Sequence, residues 1–304
     1  MLRIKNSKIA IVSHDAGGAE ILSSWAKNNF NNKFCYVLQG PATRIFLKKI
    51  GDIEVSNLLD AIESSEIVIC GTSWESDLEK DAILISKLKF KKVISFIDHW
   101  VNYIERFKLK NIVNLPDEIW VGDRYALKIA KELFENVEIK LVYNPYFSDL
   151  ISEINNNKSH SIYTYKNGVV LYVCEPIREH ALKQYGNENF WGYTEEEALI
   201  FFMKNLKILE IDVNKIILRP HPSEKIDKYN WMLSKYRNVE IVSNNTLIEQ
   251  ILHSEIIVGC ESMAMVVGLL AKKRVISSIP FGGKKCGLPH NEIEHLQNLI
   301  TRLS

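Results

Sequence analysis

The stretch that decides the fold reads Ile216-Ile217-Leu218-Arg219-Pro220-His221-Pro222-Ser223-Glu224. Three apolar residues in an unbroken run are typical of a strand that is buried on both faces, as in a parallel sheet. The two prolines then end this strand and hold the following backbone in an extended conformation. His221 is therefore expected on a stiff loop at the carboxyl end of a strand, where open α/β sheets place their ligands.

The same alternation of short apolar runs and helix-like segments extends through the 304 residues of the chain. Apolar runs occur at 8–12, 34–38, 66–73, 92–97, 118–123, 137–142, 168–174, 215–218, 239–242, 255–258 and 274–278. This rhythm predicts an α/β protein with two Rossmann-like domains, each a doubly wound parallel sheet, facing each other across a cleft. We place the domains at residues 1–150 and 166–304, joined by a linker at 151–165, because its Asn-rich centre is strongly polar. We expect 290–303 to form a terminal helix.

Composition and charge exclude several classes of protein. The formal net charge is +1, so bulk charge gives no reason to expect a nucleic-acid partner. Five scattered cysteines without C-x-x-C spacing predict neither a disulfide framework nor a zinc site, and they favour a reducing cytosol. We expect no signal peptide and no membrane span, although peripheral association with the inner face of a membrane stays open. No metal-ligand spacing, Walker motif or hydrolase elbow is present, so the sequence predicts no metal and no cofactor.

The first domain offers two carboxylates directly after predicted strands. Asp15 follows the first strand and Asp98 follows the fourth. Either carboxylate could take a proton from an incoming hydroxyl, and either could instead be the N-cap of a helix, which is a common role for aspartate. The other candidates near these strand ends are Ser13, His14, Gly17, Gly18, Thr72, His99, Trp100 and Tyr103.

The second domain offers a basic pair and a helix start. Arg219 and His221 could grip a phosphate, and His221 could stabilise or protonate it as a leaving group. The alternative is a surface histidine that lies between prolines for folding reasons. The further candidates for donor binding follow other strands or flank the histidine, and they are Glu175, Pro222, Ser223, Gly259, Glu261, Ser262 and Met263. Glu261 or Ser262 could also serve as a plain helix cap.

Together these motifs resemble the GT-B glycosyltransferases, and among them the bacterial enzymes that use CMP-activated acidic sugars to build surface glycans, such as sialyl-, polysialyl- and Kdo-type transferases. His221-Pro222 is similar to the motif that contacts the donor phosphate in those families. Asp98-His99 is a looser match to their acidic motif, which usually continues with glycine. The resemblance covers nearly the whole chain by architecture, but each motif is only a few residues long.

The resemblance implies an inverting, metal-independent transfer of a sugar from a nucleotide-sugar donor, expected to be CMP-linked, to a glycan or glycoconjugate acceptor. It assigns the base to Asp98, with Asp15 as a rival, and the stabilisation of the departing phosphate to His221, Arg219 and the helix start at Ser262. Three alternatives remain: an enzyme like the CDP-glycerol glycerophosphotransferases, one like the nucleotide-sugar epimerases, and a non-catalytic subunit that binds a nucleotide or glycan. The sequence predicts no oligomeric state.

Overall fold

The computed structural model describes residues 6–73, 76–159, 167–242 and 245–303. The chain divides into two compact units, a first domain over Met1–Asp149 and a second over Leu150–Ser304. Each domain contains one six-stranded sheet whose neighbouring strands are all parallel. The predicted fold class, two α/β domains built on parallel sheets, is therefore confirmed.

The first domain begins with a strand whose inner residues are buried on both faces. Its strands are β1 Lys8–Ser13, β2 Lys33–Leu38, β3 Ile67–Cys70, β4 Lys92–Ile97, β5 Lys108–Leu109, β6 Ile112–Val113, β7 Glu118–Val121 and β8 Glu138–Leu141. Its helices are α1 Ala16–Asn28, α2 Pro41–Ile50, α3 Leu58–Ser64, α4 Leu78–Leu88, α5 Arg124–Leu133 and α6 Pro145–Ser159, and α6 continues into the second domain. The sheet order is β2-β1-β3-β4-β7-β8, while β5 and β6 form a small antiparallel hairpin. The order reverses between β1 and β3, so the loops after these strands diverge and leave a crevice, here called the first switch point.

The second domain repeats this plan with a different strand order. Its strands are β9 Val169–Val173, β10 Lys215–Arg219, β11 Val239–Ile241, β12 Ile256–Gly259, β13 Arg274–Ser277 and β14 Ile293–His295. Its helices are α7 Ile177–Tyr185, α8 Glu195–Lys204, α9 Asn230–Lys235, α10 Leu247–His253, α11 Met263–Leu270 and α12 Leu296–Leu303. The sheet order β11-β10-β9-β12-β13-β14 reverses between β9 and β12, and the loops after these two strands form the second switch point.

Aromatic side chains fill much of the core under the first sheet. Trp120 of β7 packs against Trp25 of α1 with ring centroids 5.7 Å apart. Phe96 of β4 packs edge-on against Trp120 with ring centroids 6.4 Å apart. All three side chains are fully buried. Burial of each such side chain stabilises the fold by about 2–3 kcal/mol, which fixes the strands whose ends carry the candidate site residues.

The structure differs from the sequence prediction at two places along the backbone. Residues 151–159 of the expected linker belong to helix α6, and 160–165 lie outside the described residues. This helix forms because the Asn144 side chain accepts hydrogen bonds from the first N–H groups, and because Leu150 and Ile154, four residues apart, are buried on one face. The single predicted helix over 290–303 is wrong at its start, since Ile293–His295 forms strand β14, paired in parallel with β13.

Two further observations concern the expected surroundings of the chain. All five cysteines are free thiols, and three of them are buried in the core. None of the described helices combines the length and the apolar character needed to cross a membrane.

Candidate functional site

Asp98 emerges from the end of β4 and is held by a buried arginine. Its Oδ1 accepts hydrogen bonds from Arg106 Nη1 at 2.5 Å and from Thr72 Oγ1 at 3.3 Å. The side chains of Arg106 and Asp98 are 5% and 12% exposed. No helix starts at Asp98, because the next helical turn is the 3₁₀ segment Glu105–Phe107. The N-cap alternative does not apply, and Asp98 is instead one half of a mostly buried ion pair.

The other oxygen of Asp98 lies against the first turn of α1. A Cβ atom on Gly17 would be 2.0 Å from Asp98 Oδ2, so only a glycine allows this approach. Gly18 makes a similar approach to the backbone of Gly71, at the end of β3. The first switch point thus brings the carboxylate close to a helix N-terminus, where the helix dipole favours negative charge.

Asp15 and His14 form a pair beside this constellation. Asp15 occupies the N-cap position of α1, but its side chain makes no capping hydrogen bond. Instead, Asp15 Oδ1 lies 2.7 Å from His14 Nδ1. Gly40, at φ 53°, leaves room for the imidazole ring, since a Cβ atom there would be 2.7 Å from His14 Nε2. Asp15 is more exposed than Asp98, and it remains a rival for the role of base.

Glu79 is a member of the first switch point that the sequence did not reveal. It lies in the first turn of α4, 1% exposed, and its Oε1 accepts a hydrogen bond from the backbone N–H of His14 at 2.6 Å. Its Oε2 and the hydroxyl of Ser13 are both buried without a hydrogen-bond partner among the described residues. Burial raises the pKa of Glu79 to about 7, with a further contribution from the carboxylate of Asp15. An acidic residue in a first helical turn is commonplace, so no sequence signal could have distinguished it.

The aromatic candidates beside Asp98 are packed inside the domain. Trp100 is 6% exposed and donates its indole N–H to Asp123 Oδ2 at 2.9 Å. Tyr103 is also buried and stacks on Phe134 with ring centroids 6.3 Å apart. His99 Nδ1 accepts a hydrogen bond from the backbone N–H of Trp100. Because protein atoms cover these rings, Trp100 and Tyr103 stabilise the loop and do not form an open stacking surface in this structure.

At the second switch point, a carboxylate occupies a pair of backbone amides. Glu175, which follows β9, accepts hydrogen bonds through Oε1 from Cys260 N at 3.0 Å and Glu261 N at 2.8 Å. Both amides belong to the loop after β12. Burial raises the pKa of Glu175 to about 7, while the two amide hydrogen bonds oppose the shift. These amides therefore form an anion-binding site that in this structure holds an anion of the protein itself.

The loop after β12 is shaped by three further candidates. Gly259 is required where β12 meets β9, because a Cβ atom there would lie 2.7 Å from Val173 Cγ2. Ser262 is the N-cap of α11 and accepts a hydrogen bond from Ala264 N at 3.2 Å, so it does serve as a plain cap. Met263 is the first residue of that helix. The three residues set the direction of the loop that carries the amides.

Glu261 is tied to the loop that follows β13. Its carboxylate forms an ion pair with Lys284 and accepts a hydrogen bond from Gly287 N at 2.8 Å. The ammonium of Lys284 lies 4.2 Å above the centre of the Trp191 ring. Glu261 thus anchors the amide loop and neutralises a nearby lysine.

The loop after β10 presents His221 as a half-buried, oriented imidazole. The backbone N–H of Ser223 donates to His221 Nδ1 at 3.2 Å, which leaves the proton of the neutral ring on Nε2. Burial lowers the pKa of His221, although the carboxylate of Glu224 opposes the shift. Glu224 also closes the loop, because its Oε2 accepts from His221 N at 2.9 Å while its own N–H donates to the His221 carbonyl. Pro222 and Ser223 are exposed at the tip.

A partly buried lysine, Lys228, supports this loop, and the sequence did not reveal it either. The ammonium of Lys228 lies 2.7 Å from Glu179, 2.6 Å from Glu195 and 2.8 Å from Glu224. Oxygens of these three carboxylates lie within 4.8 Å of one another, and the single positive charge of Lys228 reduces their mutual repulsion. The network fixes Glu224 and, through it, the backbone of His221. Glu224 is only four residues from Lys228, but Glu179 and Glu195 are far from it in the sequence, so only the fold completes the network.

Arg219 does not join His221 in holding a common ligand in this structure. Its Nη1 donates to Gln250 Oε1 at 2.6 Å and to the carbonyl of Asn245 at 2.9 Å. Arg219 therefore braces the segment that leads into α10. The two members of the basic pair predicted from sequence thus have different partners in the described part of the chain, since His221 is bound by Ser223 and Glu224.

Comparison with known proteins supports the fold. No family model and no curated protein matches the chain. Among solved structures, it is similar to the UDP-GlcNAc 2-epimerase from Methanocaldococcus jannaschii, with a TM-score of 0.64, 14% identity, and coverage of 97% of this chain and 91% of that one. A putative UDP-N-acetylglucosamine 2-epimerase from Listeria monocytogenes gives a TM-score of 0.61, 12% identity and coverage of 98% and 87%.

A third similar structure is the wall teichoic acid polymerase TagF, with a TM-score of 0.51, 16% identity, and coverage of 99% of this chain and 80% of that one. At such low identities the likeness concerns the fold alone. The chain has the two-domain α/β architecture of the GT-B type that these proteins share.

Proposed function

We propose that this protein is a group-transfer enzyme that moves a sugar from a nucleotide-activated donor to a hydroxyl group of a glycan or glycoconjugate. The observation that carries the proposal is the pair of amides at the second switch point, Cys260 N and Glu261 N, which already holds a carboxylate. Switch points are where open α/β sheets bind their ligands, and paired backbone amides suit a phosphate oxygen. His221 lies at the end of β10, the strand beside β9, within the same domain.

In this mechanism the donor phosphate binds to the second domain. The bond between the anomeric carbon and the phosphate oxygen breaks, and the electron pair leaves with the phosphate. The amides of Cys260 and Glu261 stabilise the charge that develops there. His221 is suited to donate a hydrogen bond from its Nε2–H group to the departing oxygen, because the backbone N–H of Ser223 occupies Nδ1.

The acceptor hydroxyl forms the new bond on the opposite face of the sugar, which inverts the configuration, and its proton passes to a carboxylate of the first domain. Asp98 and Asp15 remain the two candidates for this base. Asp98 has one oxygen engaged by Arg106 and the other against Gly17, whereas Asp15 is more open to solvent. The proposal assigns no step to a metal or cofactor, since the amides and His221 supply the stabilisation.

We further propose a donor with a single phosphate, a CMP-linked acidic sugar of the nonulosonate or Kdo type. The basic side chains described around the second switch point are engaged by protein partners, Arg219 by Gln250 and Lys284 by Glu261. Glu261 compensates the charge of Lys284, whereas Arg219, whose partners are neutral, is left as a single cation, which suits one phosphate better than a diphosphate. The carboxyl-rich surroundings therefore favour the less charged leaving group.

A second candidate is an epimerase-like reaction, which removes and returns a proton at a sugar carbon. It is favoured by the three carboxyl groups near the first switch point, Asp15, Glu79 and Asp98, because such chemistry needs a base and an acid. Two similar structures are named as UDP-GlcNAc 2-epimerases. Two further alternatives remain: an activity like that of the CDP-glycerol glycerophosphotransferases, and a non-catalytic role as a binding subunit.

The nucleobase separates these candidates. Thermal unfolding of the full chain should be measured with CMP, CDP and UDP at one equal concentration, because the nucleotide with the lowest Kd then stabilises the chain most, by about 2.7 kcal/mol at a hundredfold excess over its Kd. We expect CMP to raise the melting temperature most. Preferential stabilisation by UDP would instead favour the epimerase-like reaction, and by CDP the glycerophosphotransferase-like one. No stabilisation by any of the three would contradict the proposal of a nucleotide donor.

A further inference from the structure

The amide pair at the second switch point is complete before any ligand binds, and a side chain of the protein itself fills it. Glu175 Oε1 accepts from both amides at 2.8–3.0 Å, which are distances typical of a well-formed carboxylate site. A phosphate oxygen on the same amides would have to replace this carboxylate. If the carboxylate kept its charge beside the phosphate, the two anions would repel each other at close range.

A second observation at the same place points to a missing partner. Tyr193 is 1% exposed, and its hydroxyl has no hydrogen-bond partner among the described residues. Its ring packs in a cluster with Cys260, and the charges of Glu175 and Glu261 act on its hydroxyl. A buried hydroxyl without a hydrogen-bond partner costs about 1–3 kcal/mol of free energy. Binding of a group whose oxygen accepts a hydrogen bond from this hydroxyl would recover that cost. The hydroxyl of Tyr193 is suited to form a hydrogen bond with an oxyanion or with the carboxyl group of a protonated Glu175.

We propose that Glu175 is a proton-linked gate on this oxyanion site: its carboxylate holds the amides of Cys260 and Glu261 until a phosphate-type group takes them, and Glu175 binds one proton as that group enters. The inference rests on the proposed function in one respect, that these amides are the phosphate site of the donor. The proton comes from solvent and stays on the Glu175 carboxyl group. The ligand on the two amides then has an uncharged neighbour instead of a carboxylate.

The charges around Glu175 allow this exchange near neutral pH. Burial raises its pKa to about 7, and a bound oxyanion would raise the pKa further. The carboxylate of Glu261 acts in the same direction, while Lys284 opposes it. The other titratable groups that face Glu175 are thiols and phenols, all buried except the partly buried Cys286, and their pKa values are themselves raised: Tyr172, Cys174, Tyr193, Cys260 and Cys286. These groups are neutral in the relevant range, so Glu175 is expected to carry the linkage.

The amide of Cys260 can report on the gate directly. The full chain labelled with [¹⁵N]cysteine gives one backbone amide signal for each of its five cysteines, and Cys260→Ser identifies the relevant one. We expect the wild-type Cys260 signal to titrate with a midpoint near pH 7, and the same signal to stay flat in Glu175→Gln. Glu188→Gln, an exposed glutamate in the loop before α8, is the matched control and should titrate like the wild type.

Inorganic sulfate is the probe for binding, because its charge does not change in this range. Between about pH 6 and about pH 8.5 the wild-type affinity should fall by about tenfold or more, since each pH unit above the pKa of the gate costs up to tenfold. In Glu175→Gln the change should be under about threefold, and binding at the higher pH should be tighter than in the wild type. Tyr193→Phe should weaken sulfate binding without abolishing the pH dependence.

A wild-type Cys260 signal that does not titrate would overturn the gate, as would a sulfate affinity that is independent of pH. The sulfate measurement needs only the wild-type chain, and the amide titration needs Cys260→Ser only to assign the signal, so both decide the matter even if Glu175→Gln fails to fold. A pH-independent sulfate site together with donor turnover would remove the gate and leave the proposed function standing. If the Cys260 signal titrates but no nucleotide stabilises the protein, the proton-linked gate would stand and the proposed function would be contradicted.

Discussion

At the scale of single residues, the Asp98–Arg106 ion pair is the most consequential contact of the first domain. It is nearly buried, and the arginine also binds Thr72 and the carbonyl of Val101. Removing one partner of such a pair leaves the other charge buried without compensation, which costs about 3–5 kcal/mol. The pair therefore fixes the position of the proposed base, and the stability of the domain is sensitive to the loss of either partner.

Arg106→Met is expected to lower the free energy of unfolding by about 3–5 kcal/mol in urea titrations followed by circular dichroism. The double variant Arg106→Met/Asp98→Asn should recover part of this loss, because no isolated charge remains. A loss below about 1 kcal/mol in the single variant would show that Asp98 does not depend on this arginine.

Glu79 links the stability of the protein to pH. Its pKa is about 7 in the folded chain, against an ordinary value of 4.5. Between these values the folded state holds a proton that the unfolded state has lost, so the free energy of unfolding falls as pH rises, by up to about 1.4 kcal/mol per pH unit. This contribution is fully present below about pH 4.5 and is lost once the pH has passed through about 7.

Glu79→Gln should flatten this dependence. Relative to the wild type, the variant is expected to gain about 2–3 kcal/mol between about pH 4.5 and about pH 8 in a series of urea titrations. Glu132→Gln, an exposed glutamate in α5, provides the matched control and should follow the wild type. Parallel curves for Glu79→Gln and the wild type would show that Glu79 ionises normally in the fold.

At the scale of elements, the start of α1 and the end of β4 are fitted to each other through Gly17. In most helices Gly→Ala stabilises the protein by about 1 kcal/mol. Here the new methyl carbon would lie 2.0 Å from Asp98 Oδ2, so the carboxylate would have to leave its place. We expect Gly17→Ala to destabilise the protein by about 1–3 kcal/mol in thermal or urea unfolding.

The clash can be separated from other effects of the alanine. In an Asp98→Ala background the same Gly17→Ala substitution should become neutral or stabilising, because the oxygen that it meets is gone. Equal effects of Gly17→Ala in both backgrounds would mean that helix and carboxylate are not coupled.

The strands and helices also show which parts of the site can be predicted from the sequence. Periodicity locates the strand ends, and with them Asp98, Glu175 and His221, because buried parallel strands read as unbroken apolar runs. It does not locate Arg106, Glu79 or Lys228. Each of these binds at least one partner that is far away in the sequence, although Arg106 and Lys228 also bind a near one. It also misses β14, because a three-residue strand before a helix has too few positions to establish a period of two.

At the scale of the whole molecule, both domains use the same principle with different strand orders. Each places its polar constellation where the strand order reverses, the first around Asp98 and the second around Glu175. The first is rich in carboxyl groups suited to proton transfer, and the second offers amides and an imidazole suited to a departing phosphate. The proposed transfer assigns the base to the first constellation and the stabilisation of the departing phosphate to the second.

The most direct test of that account is the release of CMP from a CMP-linked acidic sugar by the full chain, compared between the wild type and His221→Ala. We predict measurable release by the wild type and a loss of about a hundredfold or more in the variant, whose unfolding curve should remain close to that of the wild type. Wild-type release by the folded His221→Ala variant would contradict the role of the histidine. Failure of the wild type to release nucleotide from CMP-, CDP- or UDP-linked donors would contradict the transfer itself.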